Sequence, residues 1–204
     1  MDLNDHFCGT DQLHVAFCAN DRFLPGLAVA LHSAMLNMPH GCKVNIHIVD
    51  VGLSEESKSS LCERYSGLTD MQIKFHEWPK NLFASVAAVK YHISAYLRLS
   101  LPELIGARKV VYLDSDTIVF GDISFLKAEL QNSSLPIAAT PDWETKSLAQ
   151  DSKVIASHMN LETCKSYFNS GVLVLDLDLL RAEKFTERAL ALLGELGEFA
   201  SYAD

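Results

Sequence analysis

The strongest chemical signal in the chain is the run Val110-Val111-Tyr112-Leu113-Asp114-Ser115-Asp116-Thr117. An apolar stretch with strand character ends directly in two acids one residue apart. In extended backbone, positions i and i+2 project to the same side, so both carboxylates can face one point. Two like charges held together need a compensating cation or a shared proton. A hard divalent ion with oxygen ligands, Mg²⁺ or Mn²⁺, is the natural partner. Such an ion bridges protein to phosphate and neutralises a departing diphosphate. The plain alternative is a solvated turn after a strand, because Asp-x-Asp alone arises by chance.

Other chemistries find less support. The eight histidines are scattered, without H-x-x-x-H or H-E-x-x-H spacing. His14, His47 and His76 lie in or beside strands and read as structural. No P-loop and no G-x-G-x-x-G is present, so Asp50, at the end of a strand, reads as structural and not as a ribose contact. The five cysteines form no C-x-x-C pair, which argues against zinc. Their odd number and irregular spacing suit reduced thiols in the cytoplasm. The net charge of −9 argues against a broad nucleic-acid surface, which needs dense Lys and Arg.

Around the acids, the 204 residues read as alternating strands and helices. Leu13, Val15 and Phe17 alternate as a first strand. A helix follows, with Pro25 in its first turn and Leu24, Leu27, Leu31, Met35 and Met38 on its buried stripe. Val44 to Ile48 gives a second strand, ending at Asp50. Ser54 reads as the N-cap of a helix lined by Leu61, Cys62 and Tyr65, with Gly67 able to end it. Met71 to Phe75 is a third strand and Ser94 to Ser100 a helix. Ile137 to Ala139 and Val172 to Leu175 are short strands, and a last helix spans about Phe185 to Leu196. This alternation predicts an α/β fold with a mostly parallel central sheet flanked by helices. Ligands bind beyond the carboxyl ends of such strands, where Asn20, Asp21, Asp114, Asp116 and Asp142 collect.

Two families share parts of this pattern. A strand followed by Asp-x-Asp-x-Thr resembles the haloacid-dehalogenase-type phosphatases, in which Asp114 would be the nucleophile and Asp116 the acid/base. That family usually carries the motif on its first strand, whereas here a long α/β stretch precedes it. The fuller resemblance is to glycosyltransferase family 8, retaining galactosyl- and glucosyltransferases that use nucleotide-diphosphate sugars. Four stretches carry it: Leu13 to Asp21, Ser94-Ala95-Tyr96-Leu97-Arg98-Leu99, Tyr112 to Asp116, and Tyr167-Phe168-Asn169-Ser170-Gly171-Val172-Leu173.

The resemblance implies a Rossmann-like, GT-A-type nucleotide-diphospho-sugar transferase fold in one domain over residues 1–204. It implies UDP-galactose or UDP-glucose as donor, a glycan or lipid-linked saccharide as acceptor, and Mn²⁺ or Mg²⁺ on Asp114 and Asp116. Cys18, Ala19, Asn20 and Arg22 would follow the nucleoside, with Asn20 standing where the family often has aspartate. Arg98, Ser115, Ser170 and Gly171 would join Asp114 in binding the donor. Asp142 and Asn169 would meet the transferred sugar, and Asp204 would border the reacting centre. Arg98 could instead make a surface salt bridge, Asn169 a turn, and Asp142 a cap or solvated loop.

No residue is placed clearly as a nucleophile. The chain reads as ending before the family's later His-x-x-Gly-x-x-Lys segment and its membrane-touching tail, so the domain is expected to be incomplete at its C-terminus. The expected setting is the cytoplasm, with peripheral membrane contact through that further segment. A truncated nucleotide-binding domain without turnover is the remaining alternative.

Overall fold

The computed structural model describes residues 12–86, 93–131, 133–143 and 167–196. Its centre is a six-stranded sheet in the order β3-β2-β1-β4-β6-β5. The strands are β1 (Leu13–Ala19), β2 (Val44–Asp50), β3 (Met71–Glu77), β4 (Lys109–Leu113), β5 (Ile137–Pro141) and β6 (Phe168–Asp176). β1 pairs in parallel with β2 and β4, and β2 with β3. β6 runs antiparallel to both β4 and β5. The sheet is therefore mostly parallel, as expected, with one reversed strand that apolar periodicity cannot reveal. Reversal has a consequence for the site: β6 begins where β4 ends. Leu113 pairs with Val172, and the Asp114 N–H donates to the Gly171 carbonyl at 2.8 Å.

Alternating side chains divide the strands between two cores. Leu13, Val15 and Phe17 of β1, with Val111 and Leu113 of β4, face α1 (Leu24–Leu36) and α2 (Glu55–Tyr65). Leu27 and Leu31 on the α1 stripe are fully buried, each contributing about 2 kcal/mol by area. Leu24, Met35 and Met38 are partly buried against the same core. Ser54 caps α2 by accepting from the Ser57 N–H at 3.2 Å. Cys62, expected on the buried face of α2, is exposed, because Leu61 and Tyr65 already fill that stripe.

Ala16, Cys18, Val110 and Tyr112 point to the opposite core. That side is closed by residues 93–100, α3 (Leu101–Leu104), α4 (Leu177–Ala182) and α5 (Phe185–Leu196). Ile93–Ser100 winds as a 3-10 helix, tighter than the α-helix its spacing suggests. Pro102 has no N–H to return to the Arg98 carbonyl, so an α-helix cannot run through this point unbroken. Among the described residues, no helix is long and apolar enough to cross a membrane.

Candidate functional site

At the carboxyl end of β4, Asp114 is gripped from two elements. The Tyr112 hydroxyl donates to its Oδ1 at 2.6 Å, and Arg98 Nη2 lies 3.1 Å from the same oxygen. Burial, with the neighbouring Cys18 thiol and Asp114, raises the Tyr112 phenol well above its ordinary value, so it remains a donor. Burial likewise pushes the Cys18 thiol up to about 12. Cys18 is thus a neutral, buried neighbour of Tyr112 beneath the site, as close packing with little chemistry of its own.

Arg98 is not the exposed surface ion pair that one reading of the sequence allowed. Its side chain is 10% exposed. Nη1 donates to the Ser170 carbonyl at 2.6 Å and contacts the Ser170 hydroxyl. Nε donates to the Ala95 carbonyl at 3.1 Å, a contact across one turn of the 3-10 helix. The guanidinium carbon sits 5.0 Å from the centre of the Tyr112 ring, within cation–π range. Ser170, which is buried, acts on Arg98.

Beyond Asp114 the chain turns. Thr117 N–H and Oγ1 both donate to the Asp114 carbonyl, at 3.2 and 2.8 Å. The two acids are therefore related by a turn, and strand parity stops at Asp114. Asp116 is exposed and Ser115 buried.

The start of β6 supplies the third wall. A Cβ added at Gly171 would lie 2.9 Å from Asn169 Oδ1 and 3.0 Å from Asp114 Oδ2. Gly171 is therefore needed for the approach of β6 to Asp114, a tighter reason than the approach of a ligand. Asn169 Oδ1 accepts from the Gly171 N–H at 2.9 Å, while its Nδ2 faces Asp142 Oδ2 at 3.5 Å. Asp142 and Asn169, distant in sequence, thus share one edge of the site. Asp204 lies outside the described residues.

Along β1 the chain leaves the sheet at Asn20, whose Oδ1 accepts from the N–H groups of Arg22 and Phe23 at 3.0 and 3.3 Å. Arg22 is exposed, whereas Cys18 and Ala19 are buried. Asp21 fastens this loop to α2, accepting from the Ser57 hydroxyl at 2.7 Å and the Ser54 N–H at 3.0 Å. Hydrogen bonding by Ser57 and Ser54 holds the Asp21 carboxyl below its usual value. Asp50 is structural, as its sequence context suggests. It accepts from the Gly52 and Leu53 N–H groups at 2.8 and 2.7 Å and pairs with Lys58 at 2.8 Å.

Asp114 and Asp116 are two hard carboxylates close in sequence at one strand end, the residues there that could help to hold a divalent cation. Among the described residues no group of three or more His, Cys, Asp or Glu converges to hold a metal. Two carboxylates suit Mg²⁺ or Mn²⁺ shared with water and phosphate oxygens, and do not suit a closed protein cage.

Sequence reading missed Tyr112, although the parity argument used for Asp114 reaches it directly, two residues back. It also missed Gly26 in α1. A Cβ there would stand 2.6 Å from the Ser115 carbonyl oxygen, and nothing in the local sequence announces that contact.

Comparison with known proteins follows the same lines. The profile of glycosyl transferase family 8 matches residues 14–204. General stress protein A of Bacillus subtilis is 28% identical over 188 residues, which cover 90% of this chain and 62% of that protein. Lipopolysaccharide 1,2-glucosyltransferase of Escherichia coli is 26% identical over 195 residues, covering 94% and 56%. The chain therefore spans about half to three-fifths of the length of these relatives. The crystal structure of the galactosyltransferase LgtC with donor and acceptor sugar analogues superposes with a TM-score of 0.64 at 20% identity, covering 94% of this chain and 80% of that one. That likeness gives the fold as GT-A type. Taken with the match along nearly all of its length, the chain belongs to glycosyl transferase family 8.

Proposed function

We propose that the chain carries the donor-binding part of a metal-dependent retaining glycosyltransferase. It moves a hexosyl group, galactose or glucose, from a UDP-sugar to a glycan or lipid-linked saccharide acceptor. The observation that carries this reading is Asp114, held at the end of β4 by Arg98 and Tyr112 beside exposed Asp116. Membership of family 8 speaks against the phosphatase reading of the same acids.

In this reading Asp114 and Asp116 hold Mn²⁺ or Mg²⁺, which supplies Lewis-acid neutralisation of the departing diphosphate. Arg98 keeps Asp114 in place and brings positive charge to the diphosphate side, where a planar guanidinium suits paired oxygens. Arg22, exposed beyond β1, adds a second cation near the nucleotide. Asn20 spends its Oδ1 on the following turn. Its amide NH₂ therefore donates to a uracil carbonyl, and does not accept from the imide N–H. Cys18 and Ala19 meet the nucleoside through backbone, since their side chains are buried. Ser115 and Gly171 bound the diphosphate, with Ser170 acting through Arg98. Asp142 and Asn169 orient the hydroxyls of the transferred sugar, and Asp204 completes the edge of the reacting centre. The acceptor, by analogy with the lipopolysaccharide 1,2-glucosyltransferase, is a surface polysaccharide or lipid-linked glycan.

Calorimetric titration of UDP with and without Mn²⁺, repeated on Asp116→Ala, tests the proposal. Metal-dependent UDP binding lost in the variant is the expected result. UDP binding that ignores both metal and Asp116 would overturn it. Binding without any transfer or donor hydrolysis would reduce the chain to a binding domain.

A further inference from the structure

Helix α1 touches the segment after Asp114 in two places, at the middle of the acidic turn and at Val119 beyond it. Near its N-terminus, the Gly26 backbone lies against the Ser115–Asp116 peptide. An added Cβ would stand 2.6 Å from the Ser115 oxygen, 3.5 Å from the Ser115 carbonyl carbon and 3.7 Å from the Asp116 Cα. The obstacle is backbone, which cannot rotate away as a flexible side chain would. About two turns on, Ser33 Oγ accepts from the Val119 N–H at 3.0 Å, and about a turn further Asn37 Nδ2 donates to the Val119 carbonyl at 2.9 Å. Ser33 and Asn37 are themselves tied to the helix, through the Ala30 and Ser33 carbonyls at 3.0 and 2.9 Å. Val119 is buried in the α1-side core, whereas its neighbours Ile118 and Phe120 are exposed. Between these two attachments the segment is held by the Thr117 bonds to the Asp114 carbonyl, while Ile118 stands exposed. A glycine in the first turn of α1 is what lets the helix approach the Ser115 carbonyl this closely.

The same helix begins directly after the Asn20 loop, through the 3-10 turn Asp21–Phe23. We infer that α1 is a rigid splint between the nucleotide loop and the metal turn, with Gly26 and Asn37 as positioning residues for Asp116. This rests on the proposed function and adds to it a specific determinant of metal affinity. A side chain at position 26 pushes the Ser115–Asp116 peptide away from α1 and shifts the Asp116 carboxylate with it. Loss of Asn37 frees the far end of the segment.

The test is a Mn²⁺ titration of the full chain at fixed UDP, for wild type, Gly26→Ala and Asn37→Ala. UDP affinity without metal and the thermal midpoint are measured alongside. Gly26→Ala should weaken the apparent Mn²⁺ affinity at least tenfold, and Asn37→Ala severalfold. Metal-free UDP affinity should fall much less than the apparent Mn²⁺ affinity in both, since Ser115 is one edge of the diphosphate site whereas Asp116 is a proposed ligand of the metal. Wild-type Mn²⁺ affinity in a folded Gly26→Ala would overturn the inference alone. Equal losses with and without metal would overturn it too, since they mark general damage. If Gly26→Ala does not fold, the Asn37→Ala titration decides by the same criteria. A wild-type protein whose UDP binding ignores Mn²⁺ would overturn the proposed function, and this inference with it.

Discussion

Arg98 and Asp114 form an ion pair at 3.1 Å in which the cation is the more buried partner, 10% exposed against 29%. Ser170, Ala95 and the Tyr112 ring fix the guanidinium, so Asp114 docks onto an arginine already held. The charge of Asp114 is therefore compensated within the protein, and under the proposed function a divalent ion would share it with Arg98. Asp116, exposed on its turn, has no such claim from Arg98. The two acids of one motif are thus unequal: Asp114 is built into the fold by Arg98 and Tyr112, and Asp116 is exposed on the turn.

That inequality predicts different outcomes for matched substitutions. Asp114→Asn leaves Arg98 facing a neutral amide and should cost about 2–3 kcal/mol of stability, somewhat below the figure for breaking a fully buried pair. Asp116→Asn should stay within about 0.5 kcal/mol, as for other surface changes. Both should lose Mn²⁺-dependent UDP binding. Urea unfolding of the two variants measures the first contrast, and equal stability losses would contradict it.

Tyr112→Phe removes the donor to Asp114 Oδ1 while keeping the ring under Arg98. A hydrogen bond to a charged group is worth about 1.5–3 kcal/mol, and relaxation around the partly exposed carboxylate should hold the cost near the low end. Because Asp114 then has one fewer restraint, its metal affinity should fall severalfold without abolishing UDP binding. Paired urea and Mn²⁺ titrations would detect both effects.

Much of this was legible in the sequence, for identifiable reasons. β1 and β4 are plain from alternation and apolar runs. The stripe of Leu27 and Leu31 marks the face of α1, and Ser54 signals the start of α2. Those features are local, and their chemistry repeats in every context. The direction of β6 was not legible, since an apolar run reads the same either way along a sheet. Only that direction explains how Asn169, Ser170 and Gly171 reach Asp114. The Tyr112 contact was legible in principle through parity. The Gly26 contact was not, because it joins residues distant in sequence through backbone.

Histidines 14, 47 and 76 form a stacked column across β1, β2 and β3, with ring nitrogens 2.9 Å apart at both contacts. Each contact needs one N–H and one lone pair, so the neutral column is hydrogen-bonded in a single sense throughout. Burial, then the neighbouring rings and Lys74, lowers His47 to about 3. Burial and Lys74 lower His14 and His76 as well. Lowered folded values mean that the unfolded chain binds protons first. Stability from the column is full above about pH 6.5 and is lost as pH falls toward 3. His47, only 4% exposed, should account for about 2 kcal/mol of loss between pH 7 and pH 5 if it remains neutral throughout. Urea midpoints for wild type and His47→Gln across that range check this, and a wild-type slope unchanged in the variant would contradict it.

The central claim is that Asp114 and Asp116 together hold a divalent ion against a diphosphate. It is tested most directly by a crystal structure of the chain grown with Mn²⁺ and UDP, using anomalous scattering to locate the metal. One manganese peak coordinated by oxygens of both carboxylates and of the diphosphate, with Arg98 still on Asp114, is the expected result. Manganese bound elsewhere, or UDP seated with either carboxylate turned away from the metal, would contradict it.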